Sequence, residues 1–216
     1  MIDAVCFDLD GTLVDSRDGI EWALRQAIAD VLGPTDLRDI GSLIGARIDS
    51  LLESLIPNAS PTQRKQVVSA FRGHYDDMGW AQTTIFPGVD TALERLVSQG
   101  IEMHIVTNKP SRPTEQVLSL IGIADHFARV YSPDTPPGFP AKTDALVHLL
   151  ESEGHEAKRV LYVGDTAEDH ETALAAGTGF LGVGYGYGSD ALQESGSCAV
   201  ATPNDLAEEL ARRLSN

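Results

Sequence analysis

The chain has 216 residues, of which 42% are hydrophobic and 22% charged, a composition typical of soluble globular proteins rather than disordered ones. The formal net charge is −16 and no segment concentrates Lys or Arg, which argues against nucleic-acid binding because phosphate backbones repel an acidic surface. No apolar run reaches the roughly 18 residues of a membrane span, and the first residues do not resemble a signal peptide. We therefore expect a cytoplasmic protein without a membrane segment.

The first predicted element is a strand that ends in two carboxylates. The segment AVCFDLD (residues 4–10) is hydrophobic up to Asp8, and Gly11 follows Asp10. Because side chains alternate along a strand, Asp8 and Asp10 can point into one pocket. Two close carboxylates need a cation or a proton between them. The pair therefore predicts either a metal site or a division into one ionised and one protonated acid.

Residues 16–86 show only helical periodicity. The helical segments are 19–33, 46–56 and 61–79, and Gly and Pro residues separate them. A block of this length is far longer than a crossover between two strands needs. We predict a helical domain over 16–86 that covers the strand ends, with residues 1–15 and 87–216 forming the core domain. Ordinary helices packed on one face of the sheet are the alternative.

After the insert, helical and strand patterns alternate. The predicted helices are 89–100, 112–122, 142–154 and 168–177, and the predicted strands are 102–108, 128–134, 159–165 and 179–186. Nearly continuous hydrophobicity in the strands favours a parallel sheet that is covered on both faces. The fold class predicted is therefore α/β, with a doubly wound parallel-sheet (Rossmann-like) core and an inserted helical domain. The glycine-rich segment 182–190 is interpreted as a flexible loop, and Cys6 and Cys198 as buried, reduced thiols.

In such sheets, ligands bind beyond the carboxyl ends of the strands. The predicted strands end there in Asp8 and Asp10, in Thr107 and Asn108, in Asp134, and in Asp165. Carboxylate oxygens from Asp8, Asp10 and Asp165, with Asp169 nearby, are the hard ligands that suit Mg²⁺. The sequence therefore predicts a magnesium site at this edge.

Four segments in this order resemble the motifs of the haloacid dehalogenase superfamily. DLDGTLVDS (8–16) is similar to its first motif, VTN (106–108) to the second, Lys142 to the third and VGDTAED (163–169) to the fourth. The insert lies where that superfamily has a helical cap. The motifs and the cap together span almost the whole chain.

The resemblance implies a role for each matched residue. Asp8 is implied to be the nucleophile that forms an aspartyl-phosphate, and Asp10 the general acid and base. Mg²⁺ is implied to bind the Asp8 side chain, the Asp10 main-chain carbonyl and Asp165. Asp169 is implied to orient the metal site without binding the ion directly, or through a bridging water. Thr107, Asn108 and Lys142 are implied to hold the phosphoryl oxygens. Lys109 and Ser132 are further candidates for contact with the site.

Asp10 favours phosphatases and phosphomutases of the superfamily over its dehalogenases, which lack this second acid. We favour a phosphatase similar to phosphoglycolate phosphatases that acts on a small phosphorylated metabolite, as a monomer or homodimer. In the cap, Gly45 is expected to let the backbone approach the substrate and Arg47 to pair with a substrate anion. A sugar phosphomutase, a phospho-accepting domain without turnover and a catalytically silent binding protein are the alternatives.

Overall fold

The structure is a computed structural model that describes residues 2–37, 40, 44, 48–188, 192, 194 and 196–214. The chain divides into two compact units. One comprises Met1–Asp15 and Ile85–Asn216, and the other comprises Ser16–Thr84. In the described part, no helix combines the length and apolar character needed to cross a bilayer.

The first unit is built on a six-stranded parallel sheet. In chain order its strands are β1 (Ala4–Phe7), β4 (Glu102–Val106), β5 (Arg129–Tyr131), β6 (Val160–Gly164), β7 (Gly179–Val183) and β8 (Cys198–Val200). They lie side by side in the order β5-β4-β1-β6-β7-β8. The short strands β2 (Val14–Asp15) and β3 (Thr84–Ile85) form a separate two-stranded sheet. Strand β1 lies between β4 and β6, so the sequence order reverses there, where such sheets bind ligands.

Helices lie between the parallel strands of this unit along the chain, and a further helix follows the last strand. They are α4 (Val89–Ser98), α5 (Ser111–Ile121), α6 (Lys142–Glu153), α7 (Ala167–Ala176) and α8 (Leu206–Leu214). Helices α5, α6 and α7 each end at a glycine in the left-handed conformation, which costs glycine little because it has no Cβ. The α/β fold with a doubly wound parallel core is confirmed.

One face of the sheet packs against α6 and α7 in a continuous apolar core. Its members include Ala4, Cys6, Val106, Leu146, Leu149 and Tyr162, all buried. The predicted reduced, buried state of Cys6 is confirmed, whereas the side chain of Cys198 lies outside the described part of the structure. Burial of the strands on both faces explains why their sequences are nearly continuous in hydrophobicity.

The second unit contains α1 (Arg17–Leu32), α2 (Ile48–Leu55) and α3 (Pro61–Asp77). Helix α3 starts at a capping box, in which the Ser60 hydroxyl accepts from the Gln63 N–H and the Gln63 side chain accepts from the Ser60 N–H. Leu24, Ile28, Leu52 and Val67 are buried and supply its apolar interior.

Strand β8 and helix α8 of the first unit lie outside the predicted set. Strand β8 has only three residues and sits at the edge of the sheet, so its apolar pattern is too short to read. Helix α8 buries Leu206 and Leu210, a spacing of four that is typical of an amphipathic helix. The periodicity was therefore present in the sequence, and the prediction did not include it.

Candidate active site

Asp8 follows β1, the strand between β4 and β6, and lies at the reversal point of the sheet. Its N–H donates to the carbonyl of Val163 at 2.9 Å, which continues the parallel ladder by one residue and fixes its backbone. The side chain is buried. Thr107 follows β4 and Asp165 follows β6, and both are also buried. Three adjacent strands thus end in polar side chains that are withdrawn from solvent.

Lys142 places an ammonium group beside Asp8. Its Nζ donates to Asp8 Oδ1 at 3.0 Å and to Asp169 Oδ1 at 2.7 Å, and the side chain is buried. Lys142 is the first residue of α6, and the Asp144 carboxylate caps that turn by accepting from the Ala141 N–H at 3.1 Å. The start of the helix therefore fixes the backbone from which the lysine reaches the strand ends.

Asp169 uses both carboxylate oxygens inside the protein. Oδ1 accepts from Lys142 and, at 3.4 Å, from the Tyr162 hydroxyl. Oδ2 accepts from the Thr166 N–H at 2.9 Å and the Thr166 hydroxyl at 2.7 Å, in the capping box that starts α7. Asp169 thus links the start of α7 to Lys142, a contact that orients the lysine toward Asp8.

Asp165 is held by hydrogen bonds from Thr12 and from the glycine-rich loop that follows β7. The Thr12 hydroxyl donates to Oδ1 at 3.1 Å, and the N–H groups of Tyr187 and Gly188 donate to Oδ2 at 2.7 and 3.2 Å. A methyl group at Gly186 would collide with the Asp165 carboxyl and the Gly11 carbonyl. The glycine-rich segment after β7, interpreted from sequence as a flexible loop, here wraps closely around a carboxylate.

Asp10 forms an ion pair with Lys109, whose Nζ donates to Asp10 Oδ1 at 2.9 Å and to Oδ2 at 3.0 Å. Lys109 is buried, and Asp10 is partly exposed. The Lys109 N–H donates to the Thr107 hydroxyl at 3.2 Å, so the turn after β4 supplies both a hydroxyl and an ammonium group. The two carboxylates of the first motif therefore each have their own lysine.

Other predicted residues lie apart from this network or outside the described residues. The Asn108 amide donates to Glu168 at 3.0 Å, on the exposed side of the site. Asp134 accepts from the Ser111 N–H and hydroxyl, both at 2.8 Å, and so stabilises the start of α5. Gly45 and Arg47 lie outside the described residues.

Ser132 is buried directly after β5, and its hydroxyl has no hydrogen-bond partner among the described residues. Among the described residues, no hydrogen bond joins it to Asp8 or Asp10. Its role in the site stays a prediction.

Burial and crowding shape the charges of the site. Burial, assisted by Asp169, Asp165 and Asp10 and opposed by Lys142, raises the pKa of Asp8 to about 8. Burial and Asp169 raise the pKa of Asp165 to about 6. Burial alone would lower the pKa of Lys142, but Asp169 and Asp8 outweigh it and raise that pKa well above its usual value. Lys142 is therefore a permanent cation, and the carboxylates need a further positive charge to ionise fully at neutral pH.

The carboxylates fit a divalent cation. One oxygen each from Asp8, Asp165 and Asp169 lies within 4.8 Å of the others. All three are hard oxygen donors, and a cation among them would offset the burial and the repulsion that raise the pKa values of Asp8 and Asp165. Lys142 engages Oδ1 of Asp8, whereas both oxygens of Asp165 and both oxygens of Asp169 accept hydrogen bonds within the protein, so a bound ion would share these side chains with their present donors.

Sequence reasoning underrated two features. From sequence, Lys109 is only a further candidate for contact with the site, yet its ammonium group contacts Asp10, which lies 99 positions away in sequence. The loop N–H groups that bind Asp165 carry no side-chain signature at all. Only the density of glycines in GVGYGYGSD pointed to close backbone approach.

Comparison with known proteins identifies the relatives of this chain. Residues 5–183 match the sequence profile of the haloacid dehalogenase-like hydrolases. A phosphoglycolate phosphatase from Rhodospirillum rubrum is 33% identical over 206 residues, 91% of this chain and 86% of that protein. The tyrosine-protein kinase PtkA of Mycobacterium tuberculosis is 29% identical over 211 residues, 97% of this chain and 72% of that protein.

Among solved structures, a haloacid dehalogenase-like hydrolase from Streptococcus pneumoniae superposes with a TM-score of 0.86. The aligned region covers 97% of this chain and 98% of the Streptococcus pneumoniae chain. The sequence identity is 24%, a level that supports the shared fold alone. The profile match extends from β1 through β7 and therefore includes every catalytic candidate of the core. With the sequence match over most of its length and the same fold, this chain belongs to the haloacid dehalogenase-like hydrolase family.

Proposed function

We propose that this protein, a phosphatase of its family, hydrolyses a small phosphomonoester in two steps through a phosphorylated Asp8, with Mg²⁺ as cofactor. The observation that carries the proposal is the pairing of two acids with two lysines. Asp8 contacts Lys142 at 3.0 Å, and Asp10, two residues later, contacts Lys109 at 2.9 Å. Each acid is thus held in position by a lysine, Asp8 for the proposed attack and Asp10 for the proposed proton transfer.

In the first step, a carboxylate oxygen of Asp8 attacks phosphorus and the bond to the leaving alkoxide breaks. Lys142 holds Oδ1, which leaves Oδ2 for the attack. Asp10 gives its proton to the alkoxide, so the alcohol departs neutral. The Thr107 hydroxyl and the Lys142 ammonium are the donors proposed to hold the phosphoryl oxygens while charge develops on them.

In the second step, water attacks the phosphorus of phospho-Asp8. Asp10, now ionised, takes a proton from that water, and the bond between phosphorus and the Asp8 oxygen breaks. Inorganic phosphate leaves, and both carboxylates return to their starting states. The protonation of Asp10 therefore alternates once per turnover, and Lys109 keeps this side chain in place between the two steps.

The residues proposed to hold Mg²⁺ are Asp8, Asp165 and the main-chain carbonyl of Asp10, with Asp169 in support. When bound, the ion would neutralise charge on the transferring phosphoryl group and offset repulsion between that group and the acids. The contacts of Asp165 with Thr12, Tyr187 and Gly188 fix the direction of its carboxylate. Such support is typical of side chains that orient a metal.

The proposed substrate class is a small phosphomonoester of the phosphoglycolate or sugar phosphate kind. The phosphoglycolate phosphatase of Rhodospirillum rubrum, 33% identical, supports this choice. The helical domain 16–86 is proposed to act as the cap that selects the substrate, with Gly45 and Arg47 as its contacts. A cytoplasmic location and a monomeric or homodimeric state remain part of the same proposal.

Transfer to an acceptor other than water is a second candidate. A phosphorylated Asp8 can in principle pass its phosphoryl group to a hydroxyl of a sugar or a protein. The likeness to a protein named as a tyrosine-protein kinase, over 97% of this chain, favours testing that route. The phosphomutase alternative differs from hydrolysis in the same way, because it also returns the group to a hydroxyl.

The test is a screen of phosphorylated metabolites with Mg²⁺, run beside the Asp8→Asn variant. We expect phosphate release from one or a few small phosphomonoesters, and activity near background in Asp8→Asn because the amide is a poor nucleophile. Inclusion of sugar and tyrosine acceptors separates hydrolysis from transfer. An Asp8→Asn enzyme with activity within tenfold of wild type would reject the proposed nucleophile.

A further inference from the structure

A second cluster of metal-binding side chains lies away from the catalytic carboxylates. Glu102 is the first residue of β4, His104 lies two positions along the same strand, and His155 follows the glycine that ends α6. Their ligand atoms all lie within 4.8 Å of one another. Lys142 begins α6 and His155 follows its end, so the length of that helix, roughly 18 Å for 12 residues, separates the cluster from the active site.

The separations within the cluster are those of ligands around one ion. The two imidazole Nε2 atoms are 3.2 Å apart. Two nitrogens bound tetrahedrally to Zn²⁺ at its usual bond length lie about 3.3–3.4 Å apart. Glu102 Oε1 lies 3.7 Å from His104 Nε2, and Oε2 lies 3.8 Å from His155 Nε2. The carboxylate is thus too far from either ring for a direct hydrogen bond, yet near enough to share an ion with both.

The burial of the three side chains suits a bound ion. The His104 side chain is fully buried and that of His155 is 11% exposed, whereas Glu102 is 43% exposed. The two rings are therefore held in place by packing, and the glutamate can move the few tenths of an ångström that coordination requires.

We propose that Glu102, His104 and His155 form a binding site for a borderline transition-metal ion such as Zn²⁺, separate from the catalytic site. Two imidazoles and one carboxylate are a donor set that zinc prefers and that Mg²⁺, which favours oxygen, does not. Three protein ligands leave the fourth tetrahedral position to water. The neighbouring Arg129 is paired with Glu153 at 2.8 Å, so the negative charge of Glu102 is available to the ion.

The test is calorimetric titration of Zn²⁺ into the whole protein in excess Mg²⁺, which occupies the oxygen-rich catalytic site. Wild type is compared with His155→Ala and with a control, His126→Ala, which lies after α5 and outside the cluster. We expect one Zn²⁺ per chain in wild type and in the control. His155→Ala should weaken binding by more than about 100-fold, because even outer partners of metal ligands contribute roughly 10–100-fold.

Two further readouts keep the result independent of folding defects. Co²⁺ in the same site should give wild type the intense visible absorption of a four-coordinate ion, absent from His155→Ala. Zn²⁺ should raise the melting temperature of wild type and not of that variant, whose Mg²⁺-dependent activity should be unchanged. No Zn²⁺ binding in wild type, or equal binding in His155→Ala, would overturn the proposal and leave the two imidazoles as a hydrogen-bonded pair.

Discussion

Replacement of Lys142 by Met tests how the active site balances its charges. The Lys142 ammonium lies 3.0 Å from Asp8 Oδ1 and 2.7 Å from Asp169 Oδ1, and all three side chains are buried. At an effective dielectric constant of about 20, the attraction is about 5.5 kcal/mol for the pair with Asp8, once that carboxyl group is ionised, and about 6 kcal/mol for the pair with Asp169. Desolvation of the ions offsets most of that gain. Removal of one partner from a buried ion pair typically destabilises a protein by about 3–5 kcal/mol.

We expect Lys142→Met to lower the free energy of unfolding by about 3–5 kcal/mol, measured by urea denaturation in the absence of Mg²⁺. Activity should fall separately, because the ammonium is also a proposed donor to the transferring phosphoryl group. Loss of one such preorganised donor costs about 10²–10³-fold in kcat. Lys158→Met, which removes an exposed lysine, is the matched control and should change stability by less than about 0.5 kcal/mol.

The double variant Lys142→Met/Asp169→Asn separates the two effects. Removal of the Asp169 charge leaves one fewer uncompensated buried carboxylate, so a large part of the lost stability should return while activity stays low. The reasoning would be refuted if Lys142→Met kept activity within tenfold of wild type. It would also be refuted if Asp169→Asn failed to restore stability in the Lys142→Met background.

Two further predictions concern the carboxylates. The pKa values of Asp165 and Asp8 are raised from 3.8 to about 6 and about 8 without a divalent ion. The folded protein therefore holds more protons than the unfolded chain between about pH 4 and about pH 8, and its stability should fall as the pH rises through that window. Mg²⁺ should bind more tightly as the pH rises and should release protons on binding. Calorimetry in buffers of different ionisation enthalpy measures this release, and Mg²⁺ affinity that is constant between these pH values would contradict it. Lys109→Met should loosen Asp10 and lower kcat for alkyl phosphates by up to about 100-fold, part of what a general acid contributes. The loss should be smaller for p-nitrophenyl phosphate, whose leaving group needs no proton, and equal losses on both substrates would assign Lys109 another role.

Much of the core followed from local sequence patterns. Apolar segments correspond to β1, β4, β5, β6 and β7. In β1 and β6 every residue is buried, because both faces of these strands are covered and no polar side interrupts the pattern. Lys142 as the start of a helix also followed from periodicity, and the structure places that lysine against Asp8. Family motifs and physical pattern pointed to the same strand ends.

The remaining features depend on contacts between distant segments. Lys109 and Asp10 meet only because two loops at adjacent strand ends converge, and neither loop shows this alone. The Tyr187 and Gly188 N–H groups reach Asp165 through backbone conformation, which side-chain types do not specify. The pairing of His104 with His155 likewise requires the start of one strand and the end of one helix to be neighbours in space.

The stereochemistry of phosphoryl transfer tests the two-step route most directly. A phosphomonoester made chiral at phosphorus with oxygen isotopes is hydrolysed in isotopically labelled water, and the configuration of the product phosphate is determined. Each displacement inverts phosphorus, so attack by Asp8 followed by attack of water predicts net retention. Net inversion would show that water attacks the substrate in a single step, and it would remove Asp8 from the role of nucleophile.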